Sequence, residues 1–142
     1  MIDKIANFNI DDIQIGYKHQ FKLIVSESML YEFSKLSGDQ NPLHVDEKYA
    51  QNTKFKKRVI PGMLLASFLS RLVGMHLPGE NALYLAQTLR FIHPCFINDE
   101  IMVEGEVTSK SKATGIITLE TKITNSFGNQ LVEGQAKVLV RS

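Results

Sequence analysis

Apolar and polar residues alternate through much of the second half of the chain, a period of two that is typical of β-strands with one covered face. The pattern predicts strands over 82–91, 100–109, 114–124 and 130–140. In the third of these the side expected to face the core carries Ile117, Leu119, Thr121 and Ile123. The stretch "NSFGNQ" supplies a turn before the last strand. Four such strands in succession indicate an antiparallel sheet.

The first half of the chain combines one strand with helical segments. Residues 17–25 read as the strand, and Ser26 is placed to cap a helix that stops at Gly38. The apolar positions of that helix recur at helical spacing, and they are Leu30, Phe33 and Leu36. A second, short helix is predicted over 46–53.

The most apolar segment, 61–77, predicts a long helix that begins at a proline and ends at the Pro78-Gly79 pair. A membrane span is the weaker interpretation, because the segment reaches only about 25 Å and carries Arg71 in its middle. Apolar residues occur nearly all round the helix, as expected if a curved sheet wraps it. The order of elements therefore predicts an α+β domain with a central helix.

Composition places the chain among ordinary globular proteins. Its 142 residues fit a single domain over 1–142, and 44% hydrophobic residues allow a core without disulfides. The net charge of +1 gives no indication of a nucleic-acid partner. Cys95 is the single cysteine, and the N-terminal residues lack the apolar run of a signal peptide. We therefore expect a cytoplasmic protein without a membrane partner.

The loop "SGDQNPLH" places Asp39 and His44 on either side of Asn41-Pro42. Proline favours an extended residue before it, so the segment turns and brings both side chains to one side. A carboxylate beside an imidazole handles protons near neutral pH. The alternative is a capping aspartate with a surface histidine, which the spacing alone favours. We expect no metal, because Asp39, His44 and Asp46 lack a second nitrogen ligand nearby.

The start of the apolar helix is a second candidate for chemistry. The N–H of Gly62 has no earlier helical carbonyl to bind and lies at the positive end of the helix dipole. It is either an oxyanion site or the first residue of a well-started helix. Farther along, small side chains form a stripe of Ala66, Ser67, Ser70 and Gly74, which serves a ligand or close packing. The helix has no carboxylate of its own over 61–77.

The remaining polar features are less specific. The basic run "KFKKR", residues 54–58, is either a solvated loop or a group that meets phosphates at the mouth of a pocket. His19, His76 and His93 have no companions at an informative spacing, so we interpret them as structural or surface residues.

Two stretches together resemble the MaoC-like, R-specific enoyl-CoA hydratase family, also called hydratase 2. They are "FSKLSGDQNPLHVDEKYA" and "VIPGMLLASFLSRLVG", and the resemblance extends over nearly the whole chain. It implies a hot-dog fold, in which an antiparallel sheet wraps a long helix, and a homodimer. It also implies hydration of a trans-2-enoyl thioester to an (R)-3-hydroxyacyl thioester, with acyl-CoA or acyl-carrier protein as the carrier and no cofactor.

The resemblance also implies roles for individual residues. Asp39 and His44 match the pair that activates water, and Gly62 matches the N–H donor to the thioester oxygen. Ser70 and Asn41 match residues that support the water site and its loop. One position departs from the family, which commonly has histidine where this chain has Pro61.

The acyl tail is expected to follow the helix beyond the reacting carbons. If Ser70 faces those carbons, helical spacing places Val73, Gly74 and Leu77 on the same face, where they line the tail. Three other activities stay open: a dehydratase acting on acyl-carrier-protein thioesters, a thioesterase, and a non-catalytic acyl-thioester-binding module. The missing helix carboxylate argues against the thioesterase. The presence together of Asp39, His44, Gly62 and Ser70 argues against the binding module.

Overall fold

The computed structural model describes residues 4–142. Within them, the helices are α1 (Glu27–Ser37), α2 (Pro42–Val45), α3 (Glu47–Gln51) and α4 (Gly62–Arg71), with a 3₁₀ turn at Ile10–Asp12 and a π-helical turn at Leu72–His76. The strands are β1 (Lys18–Ile24), β2 (Ala82–Gln87), β3 (Arg90–Phe91), β4 (Glu100–Ser111), β5 (Ile116–Asn125) and β6 (Gln130–Val140). The predicted α+β class is confirmed.

The strands form one antiparallel sheet in the order β1-β4-β5-β6-β2, and β3 pairs with β6. The predicted covered side of β5 is confirmed, because Ile117, Leu119, Thr121 and Ile123 are all buried. Glu120 and Lys122 on its other face are exposed. Thr118 is buried on that face, where its hydroxyl accepts a hydrogen bond from Lys137 Nζ at 3.1 Å.

The predicted strand 82–91 is divided into β2 and β3 in the structure. A register shift between Tyr84 and Ala86 precedes the break. At the break the backbone of Thr88 crosses Gly134 so closely that an added Cβ would lie 1.8 Å from the Thr88 carbonyl oxygen. Glycine on β6 therefore permits a close chain crossing that local alternation does not reveal.

The predicted start and stop of α1 are both confirmed. Ser26 Oγ accepts a hydrogen bond from the N–H of Met29, and Gly38 ends the helix in the left-handed region at φ 81°. A residue with a Cβ is disfavoured at such an angle, so glycine marks the point where the chain leaves the helix.

The central helix differs from the prediction in two ways. It is α-helical only to Arg71 and then widens into the π-helical turn, where the N–H of Leu77 bonds the carbonyl of Leu72 at 2.9 Å. One of its faces is also open, because Met63 is 57% exposed and Ser67 and Ser70 are exposed. The sheet therefore covers this helix on one side only within a single chain.

The core lies between the helix and the concave side of the sheet. Leu65, Leu69 and Leu72 pack with buried residues of the sheet such as Val103 and Ile123. A second cluster contains Val73 and Leu77 together with buried residues of the last two strands. In the part of the chain described by the structure, no helix is long and apolar enough to cross a membrane.

Candidate active site

The loop after α1 is held by hydrogen bonds to the backbone of Asp39. The hydroxyl of Ser34 donates to the carbonyl of Asp39 at 2.7 Å, and the N–H of Asp39 donates to Ser37 Oγ at 3.1 Å. Ser34 itself is buried, so this anchor belongs to the core side of α1. The carboxylate of Asp39 is left 42% exposed on a fixed backbone.

Asn41 organises the other half of the loop. Its N–H donates to Asp39 Oδ1 at 3.1 Å, and its own Oδ1 accepts from the N–H of Leu43 at 3.0 Å. With Pro42 in the first turn, this cap starts α2, a one-turn helix at a place where the sequence predicts only a loop. Asn41 thus buttresses the loop, and α2 carries His44 toward Asp39.

His44 is oriented by a main-chain atom. Its Nδ1 lies 2.6 Å from the carbonyl oxygen of Val59. Since a carbonyl only accepts, Nδ1 carries the proton, and Nε2 of the neutral ring presents a lone pair. Nε2 lies 3.9 Å from Asp39 Oδ2, too far for a direct hydrogen bond but suited to one bridging water. The pair that the sequence predicted is brought together by the structure.

Val59 connects this pair to the start of α4. Its N–H donates to the carbonyl of Leu43 at 3.2 Å, and the next N–H, of Ile60, donates to the carbonyl of Cys95 at 2.7 Å. The short segment therefore lies between α2 and the chain before β4. Three residues after Val59 the chain reaches Gly62, so the histidine and the helix start are fixed to one another.

Gly62 is the first residue of α4, and its N–H points away from the helix. The carbonyl of Pro61 accepts from the N–H groups of Leu64 and Leu65, at 3.0 and 3.4 Å, whereas the N–H of Gly62 precedes every carbonyl of the helix. The ring of Phe91 packs directly on this glycine, and an added Cβ would lie 2.8 Å from Phe91 Cδ1. Glycine is therefore required for this contact as the ring stands.

His44 and Gly62 line the same cavity, whose volume is about 500 Å³. Most of its other walls are apolar, and they include Phe55, Ile60, Phe91, Ile92 and Leu131. Cys95 is also a wall residue, but burial, together with the charge and hydrogen bond of Asp99, raises the pKa of its thiol to about 12. The thiol is protonated at neutral pH, so the acid–base groups of this cavity are its histidines, of which His44 lies beside Asp39.

The remaining predicted residues are divided between two faces of the helix. Ser70 is exposed and lines a different cavity, of about 280 Å³, which shares Met63 with the first. Gly74 is also exposed, whereas Val73 and Leu77 are buried in the core. These four residues therefore do not share one exposed face, because a π-helical turn follows Arg71 and Leu77 lies beyond it with an extended backbone.

Two residues of the site were not identified from the sequence. Val59 acts through its carbonyl oxygen, which every residue type carries, so the identity of the residue gives no indication of this role. Phe91 lies at the end of a predicted strand and reads there as an ordinary strand aromatic. Across residues 4–142, no group of three or more His, Cys, Asp or Glu side chains is placed to hold a metal ion.

Comparison with protein families adds an independent observation. The family model described as MaoC like domain matches residues 11–127. The chain belongs to the MaoC-like domain family. The match includes the loop of Asp39 and His44 and all of α4.

Relatives of this MaoC-like chain are similar over most of their length. An (R)-specific enoyl-CoA hydratase of Rhodospirillum rubrum is 40% identical over 138 residues, which are 97% of this chain and 95% of the relative. An (R)-specific enoyl-CoA hydratase of Aeromonas caviae is 39% identical over 126 residues, covering 89% of this chain and 94% of the relative. The unliganded structure of R-hydratase PhaJ1 from Pseudomonas aeruginosa has a TM-score of 0.93 at 34% identity, covering 99% of this chain and 90% of that one.

The MaoC-like domain has the hot-dog fold predicted from the motif, with its antiparallel sheet packed on α4. Pro61 is compatible with the proposed donor at the start of α4. Proline has no N–H, but the candidate donor belongs to Gly62, and the Pro61 carbonyl starts the helix by accepting from Leu64 and Leu65.

Proposed function

We propose that this protein is an (R)-specific enoyl-CoA hydratase, a hydro-lyase that reversibly converts trans-2-enoyl-CoA to (R)-3-hydroxyacyl-CoA by syn addition of water. The observation that carries the proposal is the position of His44 Nε2, 3.9 Å from Asp39 Oδ2, in a cavity that also contains Gly62. The relatives that bear this name, at 40% and 39% identity, support it.

The attacking water lies between Asp39 and His44 in this mechanism. The acid–base pair removes one proton from the water as its oxygen bonds to the β-carbon of the enoyl group. The pair then returns a proton to the α-carbon on the same face, so its own proton count is unchanged over the cycle. Positioned acid–base groups typically contribute about 10²–10⁴-fold to rate. Asn41 acts indirectly, by holding the loop through its cap of α2.

The thioester carbonyl oxygen binds at the N–H of Gly62. Negative charge develops on that oxygen as water attacks the β-carbon, and the start of α4 offers both a free donor and the positive end of a helix dipole. One such donor is worth roughly 10²–10³-fold in rate. The acyl and thioester groups displace water from the apolar cavity, which strengthens this interaction. The reaction involves no net redox change, so we propose that it needs neither metal nor redox cofactor.

The working enzyme in this proposal is a homodimer. β2 is a terminal strand of the sheet, and its Leu83 and Leu85 are 50% and 49% exposed. Met63 on the open face of α4 is 57% exposed and lines a cavity with Tyr84 of β2, so the open helix face and the terminal strand lie side by side. Unpaired strand edges with apolar side chains need a cover. Met63 lines both cavities, so a second copy seated there also encloses the cavity of Ser70.

The acyl tail runs along the open face of α4 in this proposal, past Ser70 and Gly74. Ser70 then supports the reacting end from the helix, while Gly74 leaves room for the tail. An added Cβ at Gly74 meets no atom within 4 Å. Val73 and Leu77 support this face from the core side and do not touch the tail.

The decisive experiment is loss of the enoyl-thioester absorbance when the purified protein is mixed with crotonyl-CoA. We expect turnover, with (R)-3-hydroxybutyryl-CoA as the product by chiral chromatography. Crotonyl thioester on acyl-carrier protein is measured in parallel. A higher kcat/KM for that carrier would instead identify the protein as the corresponding dehydratase, and release of free thiol would identify a thioesterase.

A further inference from the structure

A second concave region continues from the catalytic cavity. His93 and Pro94 line both the cavity that contains His44 and a neighbouring cleft of about 290 Å³. The other walls of this cleft are Lys57, Phe96, Asp99, Asn125, Phe127 and Asn129. We name it the distal cleft. It lies between the basic run before α4 and the turn that joins β5 to β6.

The distal cleft has an exposed aromatic wall on an ordered turn. Phe127 is 81% exposed at the tip of the β5–β6 hairpin. Its turn is fixed by Asn125 Oδ1, which accepts hydrogen bonds from the N–H groups of Phe127 and Asn129 at 3.0 and 2.9 Å. The ring is therefore held out from the core by a rigid backbone, in a place where a flat ligand can stack on it.

The opposite wall of the distal cleft is cationic. Lys57 Nζ lies 4.3 Å from the centroid of the Phe96 ring, and Lys54 and Lys56 are exposed in the same run. The one carboxylate among the cleft residues belongs to Asp99, and its Oδ2 accepts from the N–H of Phe96 at 2.9 Å. The cleft thus combines aromatic rings with the ammonium group of Lys57, and two more exposed lysines lie within three residues of it in the chain.

An aromatic face next to lysines suits an adenine nucleotide, whose base stacks and whose phosphates are anionic. A CoA thioester carries such a nucleotide at the far end of its pantetheine arm. Phe91 covers Gly62, and Phe96 is a wall of the distal cleft, so the chain from 91 to 96 connects the two sites. That stretch spans at most about 18 Å, within reach of the extended arm.

We propose that the distal cleft binds the adenine nucleotide end of CoA, with the base against Phe127 and the phosphates at Lys57. The inference rests on the proposed hydration of CoA thioesters and adds the recognition of the carrier. It assigns a binding function to the basic run 54–58 and to the exposed hairpin tip. Neither takes part in the chemical step.

The test compares crotonyl-CoA with crotonyl-pantetheine, which lacks the nucleotide. Phe127→Ala and Lys57→Ala are each expected to raise KM for crotonyl-CoA by roughly fivefold or more and to leave kcat unchanged. KM for crotonyl-pantetheine stays at the wild-type value. Lys112→Ala is the matched control, because Lys112 is 71% exposed, is ion-paired with Asp11 and lies at the β4–β5 turn, the opposite end of β5.

A binding measurement separates this inference from the proposed reaction. Calorimetry with adenosine 3′,5′-bisphosphate is expected to show binding to the wild-type protein and to Lys112→Ala, and at least fivefold weaker binding to Phe127→Ala and Lys57→Ala. If no thioester is hydrated but this pattern holds, the proposed function fails and the nucleotide site stands.

Three results would overturn the nucleotide site. One is unchanged KM for crotonyl-CoA in both cleft variants. Another is an equal rise in KM for crotonyl-CoA and crotonyl-pantetheine, which places the effect on the catalytic cavity. The third is a loss of activity that occurs only in Lys57→Ala and only with an acyl-carrier-protein thioester. That result would assign the basic run to the binding of an acidic carrier protein.

Discussion

His44 and Asp39 are the residues on which the proposed chemistry depends. Both positions follow from the motif, and the structure explains why the motif needs its other members: Asn41 caps α2 and Ser34 anchors the backbone of Asp39. At 3.9 Å, the carboxylate and ring are close enough for one water beside them to hydrogen-bond both, as the proposed reaction requires.

Asp39→Asn and His44→Ala are each expected to lower kcat for crotonyl-CoA by about 10²–10⁴-fold, because each removes one half of the proton-handling pair. Enzymatic activity and circular dichroism are measured on the same samples. Asp46→Asn is the control, since Asp46 caps α3 through the N–H of Tyr49. Asparagine keeps the capping oxygen, so this variant is expected to keep both its thermal stability and its rate. Near wild-type turnover in both pair variants contradicts the assignment.

Cys95 gives a prediction about alkaline pH. The pKa of its thiol is raised from 9.0 to about 12 by burial first and by Asp99 second. A raised pKa in the folded state means that the folded protein holds this proton more tightly than the unfolded chain. Stability is therefore fully present below about pH 9 and falls as pH rises toward 12. Cys95→Ala is expected to show a smaller decrease in Tm over this pH window. If Tm falls equally steeply with pH in both proteins, ionisation of Cys95 is not the cause.

Among the secondary-structure elements, those with local signals were predicted well. Alternation located β4, β5 and β6 because one face of each is covered by the core, and Ser26 and Gly38 marked the ends of α1. The division between β2 and β3 depends on Thr88 crossing Gly134, a contact between residues far apart in sequence. No local pattern contains that information.

The π-helical turn is the second feature that the sequence did not reveal. Helical spacing of 3.6 residues placed Val73 and Leu77 with Ser70, whereas the wider turn moves them into the core. Apolar residues occur on both sides of this segment, so its pattern fits either winding. Only packing against the sheet distinguishes them.

A paired substitution tests which residues of this turn meet the acyl tail. Gly74→Leu is expected to lower kcat/KM for octenoyl-CoA more than for crotonyl-CoA, because Gly74 faces open space on the proposed tail route. Val73→Phe is expected to lower Tm and leave that ratio unchanged, since Val73 is 1% exposed in a packed core and added bulk there costs about 1–3 kcal/mol. The opposite pattern would indicate that the acyl tail lies on the core side of the helix.

The molecule as a whole presents more apolar surface than one chain covers. The exposed apolar side chains include Leu83 and Leu85 of β2, Met63 on the open face of α4, and Phe91. The sequence predicted a covered sheet and a wrapped helix, but it could not show which side remains open, because that depends on how the elements pack.

Leu85→Lys is expected to convert the proposed homodimer to a monomer at micromolar concentration, because a charge on the terminal strand opposes apolar contact. Leu36→Lys is the control, since Leu36 is 89% exposed on α1, away from β2. Light scattering coupled to size-exclusion chromatography measures both masses. A monomeric wild-type protein, or two dimeric variants, would contradict the interface.

The bond between His44 Nδ1 and the Val59 carbonyl also bears on how such a protein evolves. Every amino acid at position 59 supplies the same carbonyl, so mutational drift there leaves the imidazole oriented. The Val59 side chain, however, is part of the cavity wall. Selection can therefore widen or narrow the catalytic cavity at this position without disturbing proton transfer, and new substrate preferences become accessible by single mutations.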